Sequence, residues 1–320
     1  MRTMSFVTLE RIRGARGRIR DVAKVTPLID VSDVAGTPLQ LKCENLQPGG
    51  AFKIRGAYNM VAQLPDAERR RGVITYSSGN HGQAVAIAAR AVGVPSVVVM
   101  PTTAPKIKVD GARKFGAEVV FEGTTTLHRK ARAERIASER GLTMIPPFDH
   151  EWIIEGQGTL GLEILEQCED VRTILGPIGG GGLISGVAAA IKQGRPDIAV
   201  IGVEPAGAAS MKNAIDAGEV RTLETVSTIA DGLMAVRPGD LNFAHVRRFV
   251  DRIVTVEDHE IAAAVRWLFE RAKIVAEPSG AATVAAALRE GARFEPTVVA
   301  IVSGGNLDPA DAAKYLSVGA

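Results

Sequence analysis

The sequence has few of the features that mark secreted, membrane or nucleic-acid-binding proteins. Its 320 residues include only 2 cysteines, Cys43 and Cys168, which form no CxxC pair; no disulfide framework is indicated and a reducing compartment is favoured. No apolar run reaches membrane-spanning length, and the N-terminus lacks the apolar core of a signal peptide. Lys plus Arg number 38 against 36 Asp plus Glu, so charge gives no reason to expect nucleic acid. We therefore expect a cytoplasmic protein whose partner is a small molecule.

Apolar residues make up 46% of the chain, and they fall into two alternating kinds of segment. Short runs rich in β-branched residues predict buried strands at 73–76, 96–100, 118–121, 173–175, 198–203 and 297–302. Segments of helical period predict helices at 83–92, 106–115, 127–140, 184–193, 257–271 and 280–289. This alternation indicates an α/β fold with mostly parallel sheets flanked by helices. Such sheets bind ligands where strands end and loops enter helices.

Four consecutive glycines, Gly179 to Gly182, follow a predicted strand and precede a predicted helix. Backbone N–H groups at that position suit an anion, so the turn is interpreted as a phosphate cradle. A nicotinamide-dependent oxidoreductase is one alternative, because Glu204 ends the next strand near the spacing of a ribose-binding acid. The G-x-G-x-x-G pattern fails, however, since Ile184 or Ser185 occupies its last place.

A second motif places Lys53 beside Phe52 and among small residues. Most lysines are ordinary surface amines, but a partly desolvated lysine has a lowered pKa and can attack an aldehyde. The motif therefore makes Lys53 a candidate Schiff-base residue.

Two further polar motifs follow predicted strands. Residues 77–83, Ser-Ser-Gly-Asn-His-Gly-Gln, open a helix and cluster hydroxyl, amide and imidazole groups that suit a carboxylate. The alternative is a helix cap in which Ser78 or Asn80 satisfies free N–H groups. Ser303 follows the last predicted strand, where its hydroxyl could bond a heteroaromatic nitrogen or merely begin a turn.

Together and in this order, these motifs resemble the threonine/serine dehydratase and serine racemase family of fold-type II pyridoxal-phosphate enzymes. Residues 41–57 resemble its lysine motif, 77–83 its asparagine loop and 179–182 its phosphate loop, while 230–232 and 277–281 also fit. The resemblance covers nearly the whole chain. It implies two open, twisted, mostly parallel sheets, with a small domain at 71–149 inserted in a large cofactor-binding domain made of 1–70 and 150–320. Dimers are common in that family, which implies a homodimer or higher homo-oligomer.

The resemblance implies roles for individual residues. Lys53 would hold pyridoxal 5'-phosphate as a Schiff base and act at the substrate Cα, with Ser78 on the opposite face as a second catalytic group. The cofactor would be bound by Phe52, Lys53, Asn80, Gly179, Gly180, Gly181, Gly182, Leu183 and Ser303. The substrate would be bound by Ser77, Ser78, Gly79, Asn80, His81 and Gln83.

Three features depart from the family pattern. The residue before Phe52 is Ala51, where Ser is usual. Some relatives bind a divalent cation such as Mg²⁺ through an acid at the Glu204 position and another six residues later, but here the second place is Ser210 and Ala208 offers only a carbonyl. That metal site is therefore a doubtful expectation. Residues 123–130 are also more basic than is usual, which leaves a substrate such as hydroxyaspartate open.

The implied activity is dehydration of a β-hydroxy amino acid, L-threonine or L-serine, to a 2-oxo acid and ammonia, in amino-acid catabolism. Alternatives of the same class are a serine racemase and a dehydratase of 3-hydroxyaspartate or another 3-hydroxy amino acid. The distant alternative is the nicotinamide-dependent oxidoreductase, whose activity would not require Lys53.

Overall fold

A computed structural model describes residues 5–77, 79–104 and 106–317, whose strands form two separate sheets. The six-stranded sheet has the order β1-β2-β10-β7-β8-β9, and only the β1–β2 pair within it is antiparallel. The four-stranded sheet has the order β5-β4-β3-β6 and is wholly parallel. The strands are β1 Leu28–Asp30, β2 Leu39–Cys43, β3 Val73–Thr75, β4 Ser96–Met100, β5 Glu118–Phe121, β6 Thr143–Met144, β7 Thr173–Pro177, β8 Ala199–Pro205, β9 Arg252–Val256 and β10 Val298–Val302.

Helices connect the parallel strands and cover the sheets. The α-helices are α1 Leu9–Ile19, α2 Ser32–Ala35, α3 Ile54–Gln63, α4 Asp66–Arg71, α5 Asn80–Ala91, α6 Lys106–Lys114, α7 Thr126–Arg140, α8 Glu151–Gln167, α9 Gly182–Gly194, α10 Ser210–Ala217, α11 Asp240–Phe249, α12 Asp258–Trp267, α13 Pro278–Glu290 and α14 Pro309–Leu316. Short 3₁₀ turns lie at Glu44–Leu46, Ala206–Ala208, Asp231–Leu233 and Gly291–Arg293. The end of the helix predicted at 257–271 is π-helical, over Leu268–Ala272. None of the described helices is long and apolar enough to cross a membrane.

Both faces of the six-stranded sheet are buried, as expected for parallel strands. In β10, Val298, Ala300 and Val302 join the apolar cluster under α12 and α13, whereas Val299 and Ile301 join the cluster under α9. This two-residue alternation explains why the strand reads as an uninterrupted apolar run. The predicted α/β architecture with two mostly parallel sheets is therefore confirmed. The domain division at 71 and 149 stays a prediction, although the four-stranded sheet lies wholly within that interval.

A buried ion network joins β2, the 3₁₀ turn after it, α3 and α8. Arg55 donates from Nε and Nη2 to the two carboxylate oxygens of Glu44, at 2.7 and 2.8 Å, and from Nη1 and Nη2 to those of Glu163, at 2.6 and 2.8 Å. Lys42 donates from Nζ to Glu163 at 2.6 Å. The four side chains are at most 5% exposed and their charges cancel. Burial would raise the pKa of Glu44, but Arg55 offsets this and holds the pKa below its usual value.

Arg55→Ala should lower the free energy of unfolding by about 3 to 5 kcal/mol, because it leaves the buried carboxylate of Glu44 without its cation and that of Glu163 with Lys42 alone. Urea unfolding measured at pH 7 checks this value. The matched control is Arg16→Ala, which removes an exposed pair with Glu166 and should change stability by less than about 1 kcal/mol. Equal effects of the two substitutions would contradict the importance given to the buried network.

Candidate active site

A cleft of about 830 Å³ opens at the carboxyl ends of strands from both sheets. Its wall combines the loop after β3 with the loops after β7 and β10, and with the first turn of α7. Neighbouring strands in these sheets are often not consecutive in sequence. Polar groups that are distant in sequence therefore meet in this cleft.

Lys53 lies in this cleft, at the residue before α3 begins. The chain reaches it through Gly49 and Gly50, whose φ angles of +78° and +71° favour glycine. The amine Nζ donates to the carbonyl oxygen of Pro147 at 2.8 Å and lies 5.1 Å from the centroid of the Phe52 ring. Burial lowers the pKa of Lys53 to about 8. A large share of this amine is therefore neutral and nucleophilic at mildly alkaline pH.

The four-glycine turn leads from β7 into α9. Gly181 has a φ of +97°, and a Cβ added at Gly180 would lie 2.3 Å from the ring of Phe148. Glycine is thus required both for conformation and for space. The free N–H groups and the positive dipole end of the 13-residue helix α9 begin at Gly182. A helix N-terminus preceded by glycines suits a phosphate, and the role of the turn as a phosphate cradle stays a prediction.

The segment at residues 147–148 brings the amine and the glycine turn together. Pro147 accepts the hydrogen bond from Lys53, and the next residue, Phe148, contacts Gly180 and Gly182. Both motifs line the same cleft. The amine and the glycine turn therefore lie in one cleft, as a ligand with both an aldehyde and a phosphate requires.

Asn80 begins α5, and its amide is held from two sides. Nδ2 donates to Oε1 of Glu277 at 2.5 Å, while Oδ1 accepts from Nδ2 of Asn306 at 2.8 Å. Asn306 also donates to the carbonyl oxygen of Gly49 at 2.7 Å. These contacts set the orientation of the Asn80 amide and leave its second N–H for a ligand.

The other described residues of the predicted asparagine loop, 77–83, differ in whether they line the cleft. Ser77 and Gly79 line the cleft, and the Gly79 N–H donates to the Ser77 hydroxyl at 3.3 Å. Ser78, predicted as a catalytic residue, lies outside the described residues. His81 is buried with Nε2 3.1 Å from the carbonyl oxygen of Ile145. Burial, with a smaller contribution from the charge of Lys53, lowers the pKa of His81 to about 3, so its ring is neutral.

The structure does not bring Gln83 into the cleft wall. Its side chain lies against Gly111 of α6, where an added Cβ would be 3.0 Å from the Gln83 amide. Gln83 therefore occupies the interface between α5 and α6.

Ser303, Phe52 and Leu183 all line the cleft, and their binding of the cofactor stays a prediction. The Ser303 hydroxyl donates to the carbonyl oxygen of Ser279 at 3.2 Å, and its own carbonyl accepts the N–H of Phe52 at 3.1 Å. Ser303 is 4% exposed. Because its side chain is a hydroxyl, it presents a neutral group to a ligand.

The acid of the doubtful metal site, Glu204, is engaged by backbone N–H groups. Glu204 is fully buried, and its two oxygens accept the N–H groups of Met211 and Lys212 at 2.8 Å each, at the start of α10. Burial raises the pKa of Glu204 to about 7. Ala208 and Ser210 are buried beside it, and the described residues contain no cluster of His, Cys, Asp or Glu that could hold a metal ion. Glu204 is also absent from the cleft wall, which removes the acid on which the oxidoreductase alternative depended.

Sequence reasoning missed three contributors to the site. Glu277 is 4% exposed, and burial, reinforced by the charge of Asp231, raises its pKa to about 7. Its position just before α13 and within the matching segment 277–281 was an available signal. Asn306 and the carbonyl of Pro147 carried no comparable signal, because their roles depend on contacts between distant segments.

Comparison with known proteins agrees with this geometry. Residues 19–304 match the family model described as pyridoxal-phosphate dependent enzyme. The chain belongs to this family. The L-threonine ammonia-lyase of Thermotoga maritima is 44% identical over 306 residues, which cover 95% of this chain and 76% of that protein.

Two solved members of the family are similar in structure. Maize serine racemase superimposes with a TM-score of 0.92 at 38% identity, covering 97% of each chain. A pyridoxal 5'-phosphate-dependent aspartate racemase superimposes with a TM-score of 0.87 at 36% identity, covering 96% of this chain and 98% of that one. Within the family, the chain therefore belongs to the group of threonine dehydratases and serine racemases.

The residues of the cleft fit pyridoxal phosphate. A side chain at Gly180 would collide with Phe148, so only the glycine backbone fits in this turn. The N-terminus of α9 that follows the turn suits a phosphate dianion. Lys53 supplies the amine for the aldehyde, Asn80 has a free N–H for the ring hydroxyl, and Ser303 would face the ring nitrogen.

The reactivity of Lys53 should follow its lowered pKa. In the protein free of cofactor, labelling of Lys53 by an amine-reactive reagent should increase with pH and reach half its maximum near pH 8, because only the neutral amine reacts. Mass spectrometry of the peptide containing Lys53 measures the rate, and Lys53→Ala identifies the signal. A midpoint above pH 10 would show that the amine is not desolvated.

Glu277 should make stability depend on pH. Its pKa is raised from the ordinary value of 4.5 to about 7 in the folded protein, so between these pH values the folded chain holds a proton that the unfolded chain has released. The wild-type free energy of unfolding should fall across this interval. Relative to it, Glu277→Gln should gain about 1 to 3 kcal/mol between pH 4.5 and pH 7.5, measured by urea unfolding without cofactor. A difference that is independent of pH would contradict the raised pKa.

Proposed function

We propose that this protein is a dehydratase that converts a β-hydroxy amino acid, L-threonine or L-serine, to a 2-oxo acid and ammonia. The observation that carries the proposal is the desolvated Lys53 amine beside the four-glycine turn, in one cleft with Ser303. The identity of 44% to an L-threonine ammonia-lyase supports the same reaction class.

Bound pyridoxal phosphate supplies an aldehyde that condenses with amines and a ring that stabilises negative charge at Cα. The chain's own residues then bind and move protons. Burial lowers the pKa of Lys53 to about 8, and the neutral form of this amine can accept the proton from Cα. The N–H groups at the start of α9 hold the phosphate, and the N-terminus of α5, near Ser77 and Gly79, suits the substrate carboxylate.

Ser303 supports elimination over transamination. Its neutral hydroxyl cannot hold a proton on a pyridine nitrogen as a carboxylate would, so the ring is a weaker electron sink. A carbanion at Cα that is less delocalised favours prompt loss of the β-hydroxyl. Water leaves from the substrate, and hydrolysis of the resulting enamine yields the 2-oxo acid and ammonia.

A racemase is the second candidate, and two similar solved structures favour it: a serine racemase and an aspartate racemase. The difference depends on whether a group on the face opposite Lys53 returns the proton to Cα. Ser78 is the predicted group, and this role stays a proposal. A homo-oligomer in the cytoplasm is proposed as well; the buried free thiols of Cys43 and Cys168 agree with a reducing compartment.

Lys53→Ala should remove the visible absorbance of the purified holoenzyme and lower 2-oxo-acid release by at least about 1,000-fold, because the amine both holds the cofactor and moves the proton. The control is Lys130→Ala, on the exposed face of α7, which should leave both unchanged. The substrate panel contains L-serine, L-threonine and their D-enantiomers, with and without magnesium. Chiral chromatography of the remaining substrate distinguishes the activities: inversion faster than 2-oxo-acid release identifies a racemase. Full activity of Lys53→Ala would end the proposal.

A further inference from the structure

The Lys53 amine is held by a segment that has few hydrogen-bonding groups of its own. Its Nζ donates to the carbonyl oxygen of Pro147 at 2.8 Å. Pro147 follows Pro146, and neither proline has an N–H group with which it could bond to a neighbouring strand or helix. The position of the accepting carbonyl therefore depends on the residues on either side of the two prolines, Ile145 and Phe148.

Ile145 is hydrogen-bonded through both of its backbone groups. Its N–H donates to the carbonyl oxygen of Ile74 in β3 at 2.8 Å, and its carbonyl oxygen lies 3.1 Å from Nε2 of His81. A carbonyl oxygen only accepts, so the His81 ring carries its proton on Nε2 and donates it here. The side chain of His81 thus connects α5 to the residue that precedes the two prolines.

His81 is suited to this contact because its ring is buried and neutral. The residue is 2% exposed and lies in the first turn of α5, directly after Asn80. Burial, with a smaller contribution from the charge of Lys53, lowers the pKa of His81 to about 3. The ring therefore donates a hydrogen bond without adding a positive charge near the Lys53 amine, which would disfavour the charged form of Lys53 further.

We propose that His81 is a positioning residue for the Lys53 amine. Through Ile145 it fixes the Pro147 carbonyl, and that carbonyl fixes one N–H of the amine whenever Lys53 is not joined to the cofactor. The lone pair of the neutral amine then keeps a constant direction for the proton at Cα. This role is distinct from the substrate binding that the resemblance implies. The inference rests on the proposed dehydratase function for the proton transfer, whereas the contacts themselves require no substrate.

Substitutions that differ by one methylene group test this role. In His81→Gln the side-chain amide reaches about as far as the ring Nε2 and can still donate to Ile145, whereas in His81→Asn the amide ends one carbon earlier. His81→Phe fills the space of the ring without a donor. The matched control is His245→Asn, at a second buried histidine whose Nδ1 lies 2.8 Å from the carbonyl oxygen of Leu241 and which does not line the cleft.

Kinetics of the holoenzyme with L-threonine measure the effect on the reaction. In His81→Asn and His81→Phe, kcat should fall about 10- to 100-fold while KM stays within about threefold, because the amine is misplaced and the substrate is not. His81→Gln should keep kcat within about fivefold of the wild-type value. The acid limb of the pH profile of kcat should move to higher pH in His81→Asn and His81→Phe, since water beside a loosened segment raises the pKa of Lys53 toward its ordinary value.

Labelling of Lys53 in the full chain without cofactor gives a readout that needs no turnover. Burial is the cause that lowers the pKa of Lys53 to about 8. In His81→Asn and His81→Phe the pH of half-maximal labelling should rise by about one pH unit, while His81→Gln and His245→Asn should keep the wild-type midpoint. Urea unfolding of the same proteins measures the loss of stability, which His81→Asn and His245→Asn should share.

The outcomes separate positioning from structure and from the proposed function. If His81→Asn and His81→Phe lose stability but keep the labelling midpoint, His81 has a structural role alone and the inference is overturned. If His81→Gln is as impaired as His81→Asn, the hydrogen bond to Ile145 is not what positions the amine. A wild-type holoenzyme that releases no 2-oxo acid from any substrate would overturn the proposed function, and the labelling midpoints would still decide the role of His81. Because three variants are compared with the control, the test decides even when one of them does not fold.

Discussion

The ion pairs of Arg55 with Glu44 and Glu163 are the interactions on which the position of the Lys53 amine depends. Arg55 lies in the first turn of α3, two residues after Lys53, and joins Glu44 to Glu163 across the interior. A buried charge is tolerated only while its partners stay in place, so this network holds the start of α3 against α8. Lys53 can therefore be desolvated and directed at Pro147 although it stands at a loop–helix boundary.

Each polar group of the cleft is placed according to the charge of the ligand group that it would contact. The N-termini of α5 and α9 present N–H groups and positive dipole ends for anions. The amide of Asn80 is oriented by Glu277 and Asn306, so its direction is set before any ligand arrives. Such preorganisation reduces the reorganisation that binding requires.

Much of the fold was predictable because its strands and helices are strongly patterned. The strands at 96–100 and 118–121 were predicted with the bounds that the structure has. Others differed by a few residues, since strand and helix ends depend on hydrogen-bond partners as well as on pattern. Helices α3 and α8 were not predicted. Helix α8 is buried from Ile153 to Ile164 and carries glycines at close contacts, so its sequence has no clear apolar face.

The sequence by itself determined the local chemistry: a lysine among small residues, a glycine turn between strand and helix, and an asparagine loop that starts a helix. These depend on backbone conformation and on helix ends, which neighbouring residues control. Only the tertiary structure decided that Glu277 and Asn306 hold Asn80 and that Gln83 lies beside α6. Contacts between segments up to 257 residues apart follow from how the two sheets are placed, and no local pattern in the chain encodes that placement.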